Sequence, residues 1–366
     1  GEAFAQAANE AQLRVVGQPR ITEKEGAPAG EVTFDAVFEV FPEVQIADLA
    51  DAEVERLSAE VNDAAIDKTV EILRKQRRTF ALRAQDAAAQ DGDRVTVDFE
   101  GKIDGELFAG GKAEDFQFLV GEGQMLKEFE DAVRGMKVGE SKTFPLAFPE
   151  DYHGKDVAGK TADFLVTVKK IEAAHLPEVN DALAKSLGVA EPTVEGLRAD
   201  IKKNLEREVK FRLLNRNKQA VMEALVTKAQ LDLPNAAIQA EIERLRDGAR
   251  ADLKQRGLKD ADKAEIPDDI FRPQAEHRVR LGLVLAELVR ANNLQATPEQ
   301  LKAHIDELAA SYEKPEDVVR WYFSDRQRLA DVEAVVVENN VTDFVLSKVK
   351  VTDKTLSFEE LMGQQA

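Results

Sequence analysis

The sequence contains no cysteine and only four histidines in 366 residues. Without cysteine there can be no disulfide framework and no thiolate catalysis. No two of the histidines lie four positions apart, as they do in a zinc-binding helix. They are His153, His175, His277 and His304. We therefore predict no metal site, and a chain without cysteine suits a reducing, cytoplasmic compartment.

Motifs of hydrolases and nucleotide-binding proteins are also missing, and basic residues are fewer than acidic ones. There is no Gly-x-Ser-x-Gly elbow, and no Gly-rich loop followed by Lys and Ser or Thr to hold a nucleotide. No apolar run approaches the roughly 18 residues of a membrane-spanning helix. Lys and Arg number 50 against 69 Asp and Glu, a net charge of −19, whereas nucleic-acid binders are normally basic. We expect no cofactor, no membrane partner and no nucleic-acid partner.

Aromatic residues make up only 6% of the chain and are unevenly distributed. Nine of them lie between residues 91 and 172, where apolar residues alternate with polar ones. Alternation of period two predicts strands, and Leu126–Arg134, ended by Gly135, is predicted to be a short helix. Residues 121–123 are interpreted as a turn between a strand and this helix. The region therefore predicts a compact antiparallel β domain with its own core.

Shorter elements are predicted before this domain. Residues 31–41 alternate in hydropathy, which predicts a half-buried strand. Its predicted inner face carries Val32, Phe34, Ala36, Phe38 and Val40. A helix capped by Asn62 or Asp63 is expected to run to about Arg78. Because these elements are too small to form a core alone, we expect them to pack on the body that follows the β domain.

From residue 193 to the end, apolar residues recur at helical spacing. Thr193 precedes a long helix, and Pro follows both Thr297 and Lys314, which favours two further helix starts. The last long helix is expected near residues 326–345. The sequence thus predicts an α+β multidomain protein in which a β domain is inserted beside a body of long helices.

Only one reaction class suits an aromatic set without nucleophile or acid–base pair. Rotation about an Xaa–Pro peptide bond faces a barrier of about 18–20 kcal/mol, because the planar amide is stabilised by resonance. A dry aromatic pocket can favour the twisted amide over the solvated planar one. A hydrogen-bond donor to the displaced carbonyl or prolyl nitrogen adds to this effect.

Residues 91–172 resemble FKBP-type peptidyl-prolyl isomerases in five segments of matching order and spacing. The segments are Val95–Gly101, Asp104–Phe108, Phe116–Gly123, Phe129–Glu140 and Phe148–Tyr152. The resemblance implies isomerase activity and assigns the pocket position by position. The implied pocket residues are Phe99, Phe108, Phe116, Phe118, Met125, Leu126, Phe129, Tyr152 and Phe164.

Within that pocket, Tyr152 matches the hydroxyl donor of the family and Phe129 the pocket floor. Two positions depart from the family pattern: Phe129 stands where drug-binding members usually carry Trp, and Ala109 where many carry Asp. We expect weak affinity for macrolide inhibitors but retained isomerisation. The alternative is that each aromatic residue, taken singly, belongs to the core of a small β domain, as we expect for Phe144.

The flanks resemble the trigger factor family. The resemblance rests on Phe38–Val44, Thr193–Arg198, Asn204–Glu208 and Phe358–Ala366. It implies a partial N-terminal ribosome-binding domain (1–45), a linker and part of the body (46–90), the isomerase (91–172) and a helical chaperone domain (173–366). The family's Gly-Phe-Arg-x-Gly-Lys docking loop is not found. We expect that the chain is truncated, that it reaches ribosomes only through the missing part, and that it is monomeric, whereas full-length members are weak dimers.

The resemblance implies an ATP-independent chaperone that holds unfolded or nascent polypeptides and isomerises prolyl bonds. Candidate polypeptide-binding residues on the helices are Met222, Leu225, Leu283, Leu288, Val335, Val337 and Leu346. The alternative for each is helix-on-helix packing. Two other functions stay open: a pure holdase whose FKBP-like domain is only a docking arm, and a structural helical scaffold. His277, His304 and Trp321 are expected to be structural.

Overall fold

The structure, a computed structural model, describes residues 1–363. The last three residues of the C-terminal motif, 364–366, lie outside the described part. The chain divides into two compact units. The first, here called the helical unit, combines Gly1–Glu60 with Glu208–Ala366, and the second, the sheet unit, is Val61–Arg207.

Helices account for most of the regular structure. They are α1 (Glu2–Glu10), α2 (Asp63–Gln76), α3 (Lys127–Val133), α4 (Asp181–Ser186), α5 (Val194–Thr227), α6 (Asn235–Gln255), α7 (Asp268–Asn292), α8 (Pro298–Ala309), α9 (Pro315–Phe323), α10 (Arg326–Lys348) and α11 (Phe358–Met362). The strands are β1 (Val15–Lys24), β2 (Thr33–Val40), β3 (Gln45–Ile46), β4 (Glu53–Ser58), β5 (Thr79–Leu82), β6 (Arg94–Ile103), β7 (Glu106–Leu119), β8 (Ser141–Ala147), β9 (Thr161–His175), β10 (Ala229–Gln230) and β11 (Lys350–Thr355).

Several helices begin where their capping residues predict. The Asn62 side chain accepts a hydrogen bond of 2.8 Å from the Ala65 amide at the start of α2. Thr297 and Gln300 form a reciprocal capping box at the start of α8, with Pro298 in the first turn. Such caps satisfy amide groups that have no partner within the helix. The short helix before Gly135 is also present as α3, and Gly135 has a φ of +88°.

Strand β2 confirms the alternating segment, but the predicted half-burial is wrong over most of its length. Val32 and Phe34 are 62% and 57% exposed. Only toward its end does the strand pack, where Phe38 meets the ring of Phe4 edge to face at 5.0 Å. Alternation predicts the pleat of a strand, but it carries no information on whether a second layer covers the apolar face.

The helical unit has its main core where α5, α7 and α10 meet. Buried apolar residues of this core include Val221, Leu225, Val284, Val341 and Val345. Three two-stranded sheets accompany the helices: β1 with β2, β3 with β10, and β4 parallel to β11. Helical periodicity did not predict β10 and β11, because pairings between strands so distant in sequence leave no local pattern.

The sheet unit contains a five-stranded antiparallel sheet with strand order β5-β9-β6-β7, and β8 pairs with β9. Helix α3 covers one face. A second core in the same unit joins α2 to α4 and the start of α5 through Ile66, Val70, Ala184, Leu197 and Ile201. Helix α2 thus packs on elements that follow the β domain in the chain. The compact sheet unit includes residues 61–90 and 173–207, whereas the sequence-based division places 46–90 in a linker and part of the body and 173–207 in the body.

Candidate active site

The aromatic residues of the sheet unit converge because of strand register. Val95, Val97 and Phe99 alternate onto the face of β6 that α3 covers, and all three are buried. Phe99 lies opposite Val166 of β9, and Gly101 lies opposite Phe164. Alternation along neighbouring strands therefore gathers their large side chains under one helix.

A cavity of about 490 Å³ opens at this face. Seven of the nine predicted pocket residues line it. They are Phe99, Phe108, Met125, Leu126, Phe129, Tyr152 and Phe164. Ala109, one of the two departures from the family pattern, lines it as well. The fold therefore brings most of the predicted residues together around one cavity.

The aromatic rings around the cavity pack against one another. Phe129, from α3, is 1% exposed and lies 5.4 Å from the ring centre of Phe99 and 5.8 Å from that of Phe164. Phe108 reaches Phe164 at 6.0 Å. Edge-to-face pairs at such distances contribute about 0.5–1.5 kcal/mol each beyond area burial. The walls are consequently apolar and fixed before any ligand arrives.

Two predicted residues, Phe116 and Phe118, do not line the cavity. Both lie on β7 opposite Val97 and Val95. Phe118 is 2% exposed and packs behind Phe129 at 5.6 Å, while Phe116 packs against Phe99 at 5.5 Å. They therefore support the rings of the cavity without reaching it.

Other lining residues were missed as pocket residues. Phe148 is buried, lines the cavity and lies 5.8 Å from Phe108 and 4.9 Å from Tyr152. Phe148 is the first residue of the segment Phe148–Tyr152, which resembles the family, and its place in that segment could have identified it as a pocket residue. Leu146, Val157 and His153 also line the cavity, but their residue types and spacing gave no such signal.

Tyr152 lies in a loop that lines the cavity. The loop is closed by hydrogen bonds donated by the Phe148 amide to the Lys160 carbonyl (2.9 Å) and by the Gly159 amide to the Pro149 carbonyl (3.1 Å). The half-buried Tyr152 ring packs against His153, with ring centres 4.2 Å apart. The arrangement holds a hydroxyl-bearing side chain beside an apolar cavity.

Gly101 leaves no room for a side chain. A Cβ built on this residue would lie 2.7 Å from two carbons of the Phe164 ring and 3.1 Å from Phe108. Carbon atoms normally keep 3.5–4.0 Å apart. The backbone of β6 thus forms part of the support behind two cavity rings, which only glycine allows.

No Asp, Glu, Lys or Arg of the described chain is among the residues that line the cavity, and the ion pairs of the sheet unit lie outside that lining. The Arg78 guanidinium hydrogen bonds to Glu122 and lowers the pKa of that carboxyl. Hydrogen bonding to Arg94 likewise lowers the pKa of the buried Glu172, with a smaller contribution from Lys170. Within residues 1–363, no cluster of His, Asp or Glu is suited to hold a metal ion.

The predicted polypeptide-binding residues divide into two sets. Met222, Leu225 and Leu288 are buried in the core of the helical unit, with exposures of 7%, 0% and 4%. These three pack helix on helix and offer no surface to a client in this conformation. The other four are at least partly accessible. They are Leu283, Val335, Val337 and Leu346.

Comparison with protein families gives three matches along the chain. A model described as bacterial trigger factor protein matches residues 1–73, one for FKBP-type peptidyl-prolyl cis-trans isomerase matches 85–169, and one for the trigger factor C-terminus matches 193–347. Trigger factors of Paracidovorax citrulli and Acidovorax ebreus are 85% and 86% identical over 364 residues, covering all of this chain and 84% of each relative. The chain belongs to the trigger factor family.

One solved structure, named "Promiscuous Substrate Recognition in Folding and Assembly Activities of the Trigger Factor Chaperone", also matches. It is 20% identical, covers 95% of this chain and 82% of its own, and has a TM-score of 0.45. The family assignment rests on the sequence matches, since a score this low adds nothing to them.

As a member of the trigger factor family, the chain is a molecular chaperone with an FKBP-type peptidyl-prolyl cis-trans isomerase domain. The family binds nascent polypeptides, and binds the ribosome through its N-terminal domain. None of the helices in the described chain is both long and apolar enough to cross a membrane.

Proposed function

We propose that the cavity lined by Phe99, Phe108, Phe129, Tyr152 and Phe164 is the isomerase site and takes a prolyl ring. The observation that carries this proposal is the cavity itself: about 490 Å³, lined by rings already packed on one another. Met125 and Leu126 form the opposite wall. Phe116 and Phe118 act by supporting the rings.

The mechanism follows from the difference between the planar and the twisted amide. A planar amide in water loses hydrogen bonds when it enters an apolar cavity, whereas the twisted amide has lost resonance and part of its dipole. A preformed apolar cavity therefore binds the transition state better than the ground state. Tyr152, whose side chain lines the cavity, donates a hydrogen bond to the displaced carbonyl of the bound peptide.

The proposal is tested with Phe164→Leu in the full chain and Leu165→Ala as control. Both residues lie on β9, but only Phe164 lines the cavity, whereas Leu165 is 46% exposed. We expect Phe164→Leu to reduce the acceleration of proline-limited refolding of a client by about tenfold or more, an effect of about 1.4 kcal/mol on the barrier. Leu165→Ala should change it by less than about twofold.

Suppression of client aggregation is measured on the same variants. If Phe164→Leu still suppresses aggregation while its isomerisation is impaired, the two activities are separate and the proposed site is supported. Equal rates for both variants and the parent would contradict the site. If the parent itself does not accelerate proline-limited refolding, the chain is a holdase whose FKBP-like domain serves only as a docking arm.

For client binding we propose the partly accessible residues Leu283, Val335, Val337 and Leu346, together with the exposed aromatic side chains of α9 and the loop before it. Tyr312, Trp321 and Phe323 are 61%, 52% and 49% exposed. Scattered apolar groups among charges suit weak, reversible contacts with unfolded chains. The sequence predicts a structural role for Trp321, but about half of its surface is exposed to solvent. The Arg328 guanidinium stacks on the Trp321 ring, 3.9 Å from its centre.

We also propose that the chain works in the cytoplasm and uses no cofactor. It divides into an N-terminal part (1–45), a linker with part of the chaperone body (46–90), the isomerase (91–172) and the chaperone body (173–366). We also propose that it is monomeric and that any contact with ribosomes depends on the N-terminal domain of the family. Sedimentation velocity, with and without ribosomes, tests both statements.

A further inference from the structure

One wall of the cavity is not built from a strand or a helix. Gly123, Gln124, Met125 and Leu126 all line the cavity, and they lie in the turn between β7 and α3. An irregular segment has no ladder of backbone hydrogen bonds to fix it, so its position depends on individual side-chain contacts. We call residues 121–126 the wall turn.

From inside the sheet unit, Glu130 of α3 holds the wall turn. Its buried carboxylate accepts hydrogen bonds from the Gly121 amide (3.0 Å) and, more weakly, from the Met125 amide (3.4 Å). The Gln124 side chain accepts a hydrogen bond of 2.9 Å from the Leu119 amide at the end of β7. These contacts hold the turn at Gly121, Gln124 and Met125, and none of them involves the side chain of Glu122.

The side chain of Glu122, the second residue of the wall turn, is bound by Arg78. Two nitrogens of its guanidinium donate to the two carboxylate oxygens of Glu122, at 2.6 and 3.2 Å. The side chains are only 15% and 28% exposed. A two-pronged pair of this kind fixes orientation as well as distance, which a single contact does not.

Arg78 does not belong to the isomerase core. It lies two residues after the end of α2 and one before β5, the strand that joins the sheet along β9. The guanidinium also lies 5.7 Å from the centre of the Phe80 ring, and that of Arg94 lies 4.2 Å from it. The Phe80 ring is thus a second neighbour of the Arg78 guanidinium, in addition to Glu122.

We infer that Arg78 is a positioning residue for the isomerase: acting through Glu122, it sets the place of the wall turn and so of Met125 and Leu126. This inference rests on the isomerase site proposed above. It means that a residue of the connecting segment, outside the predicted domain 91–172, adjusts the cavity. A change in α2 or β5 that moved Arg78 would be transmitted to catalysis.

The test compares Arg78→Gln and Glu122→Gln in the full chain, using an Xaa–Pro peptide and measuring kcat and KM separately. We expect either variant to lower kcat/KM about two- to fivefold, the range of partly exposed ion pairs. Amide hydrogen exchange at Met125 and Leu126 should accelerate, while exchange in β6 and β9 stays unchanged. A merely structural contribution would instead lower protection throughout the sheet.

Two further variants sharpen the result. Arg78→Lys keeps the charge but not the two-pronged geometry, so we expect an intermediate kcat/KM. The exchanged pair Arg78→Glu with Glu122→Arg should recover part of the activity; recovery is incomplete because Lys75 lies close enough to lower the pKa of Glu122. Arg198→Gln is the matched control, since it removes an ion pair with Asp67 (2.7 Å) in the same unit.

The outcomes separate this inference from the site assignment. If Arg78→Gln and Glu122→Gln retain the parent kcat/KM and exchange while Phe164→Leu is impaired, the inference is wrong and the site stands. If Phe164→Leu is unimpaired as well, both are wrong. If Arg198→Gln lowers kcat/KM as much as Arg78→Gln does, the inference about Arg78 is also wrong, because the loss would then follow from removing any ion pair of the sheet unit.

Discussion

Gly101→Ala is a demanding test of the cavity, because a single methyl group meets two of its rings. The new Cβ would lie 2.7 Å from the Cε1 and Cζ atoms of Phe164. To restore ordinary contact the ring must retreat by about 1 Å. Phe164 is 6% exposed and is enclosed by Phe99, Phe129 and Phe144 at 5.9, 5.8 and 6.0 Å. The ring therefore cannot move without displacing its neighbours.

Two magnitudes follow from this geometry. Overpacking of a filled core costs about 1–3 kcal/mol, so the sheet unit should lose that much free energy of unfolding. A displacement of about 1 Å at a catalytic surface can cost on the order of a hundredfold in rate. Since Phe164 and Phe108 move but stay in the wall, we expect Gly101→Ala to lower kcat/KM by about ten- to a hundredfold.

The assay is Xaa–Pro peptide exchange in the full chain, with hydrogen exchange reporting the stability of β6 and β9. Gly248→Ala in α6 is the control, because no atom lies within 4 Å of its would-be Cβ. Ala stabilises an exposed helix by about 1 kcal/mol relative to Gly, without reaching the cavity. A Gly101→Ala chain with parent activity and parent protection would refute the assignment of Phe164 and Phe108 as fixed walls.

Two other predictions concern charge and the client surface. Glu172 has a lowered pKa, through Arg94 first, so its stabilisation is complete above the ordinary value of 4.5 and is lost as pH falls through the lower folded value. Acid titration of sheet-unit stability should therefore show a fall below about pH 4.5 that is smaller in Glu172→Gln. For the helical unit, Trp321→Ser with Tyr312→Ser should weaken suppression of client aggregation while leaving peptide isomerisation unchanged. Equal suppression by parent and variant would remove α9 from the client surface.

Seven of the nine residues predicted from the sequence line one cavity, because the signal in the sequence is local and ordered. Aromatic residues at fixed spacing lie on consecutive strands, and strand register then determines which of them meet. Phe116 and Phe118 show how far alternation can predict lining residues. They share the alternation and the face of the residues that line the cavity, but they do not line it. What separates lining from support is the distance along the strand from the cavity, which alternation does not encode.

The helical unit was harder to predict, for a physical reason. Met222, Leu225 and Leu288 look the same in sequence as residues of an exposed apolar stripe, because helical periodicity shows that a face is apolar and not what it meets. Here α5, α7 and α10 bury those faces in one another. Conversely, Val32 and Phe34 have the pattern of a covered strand face yet are mostly exposed.

Contacts between residues far apart in the sequence are the part of the structure that its patterns did not predict. Strand β4 pairs in parallel with β11, so that Arg56 meets Asp353 at 2.7 Å across nearly the whole length of the chain. The Arg78–Glu122 pair spans 44 positions, and no spacing rule connects its members. Such contacts depend on three-dimensional closure, so sequence patterns find the walls of the cavity more readily than the residues that hold those walls in place.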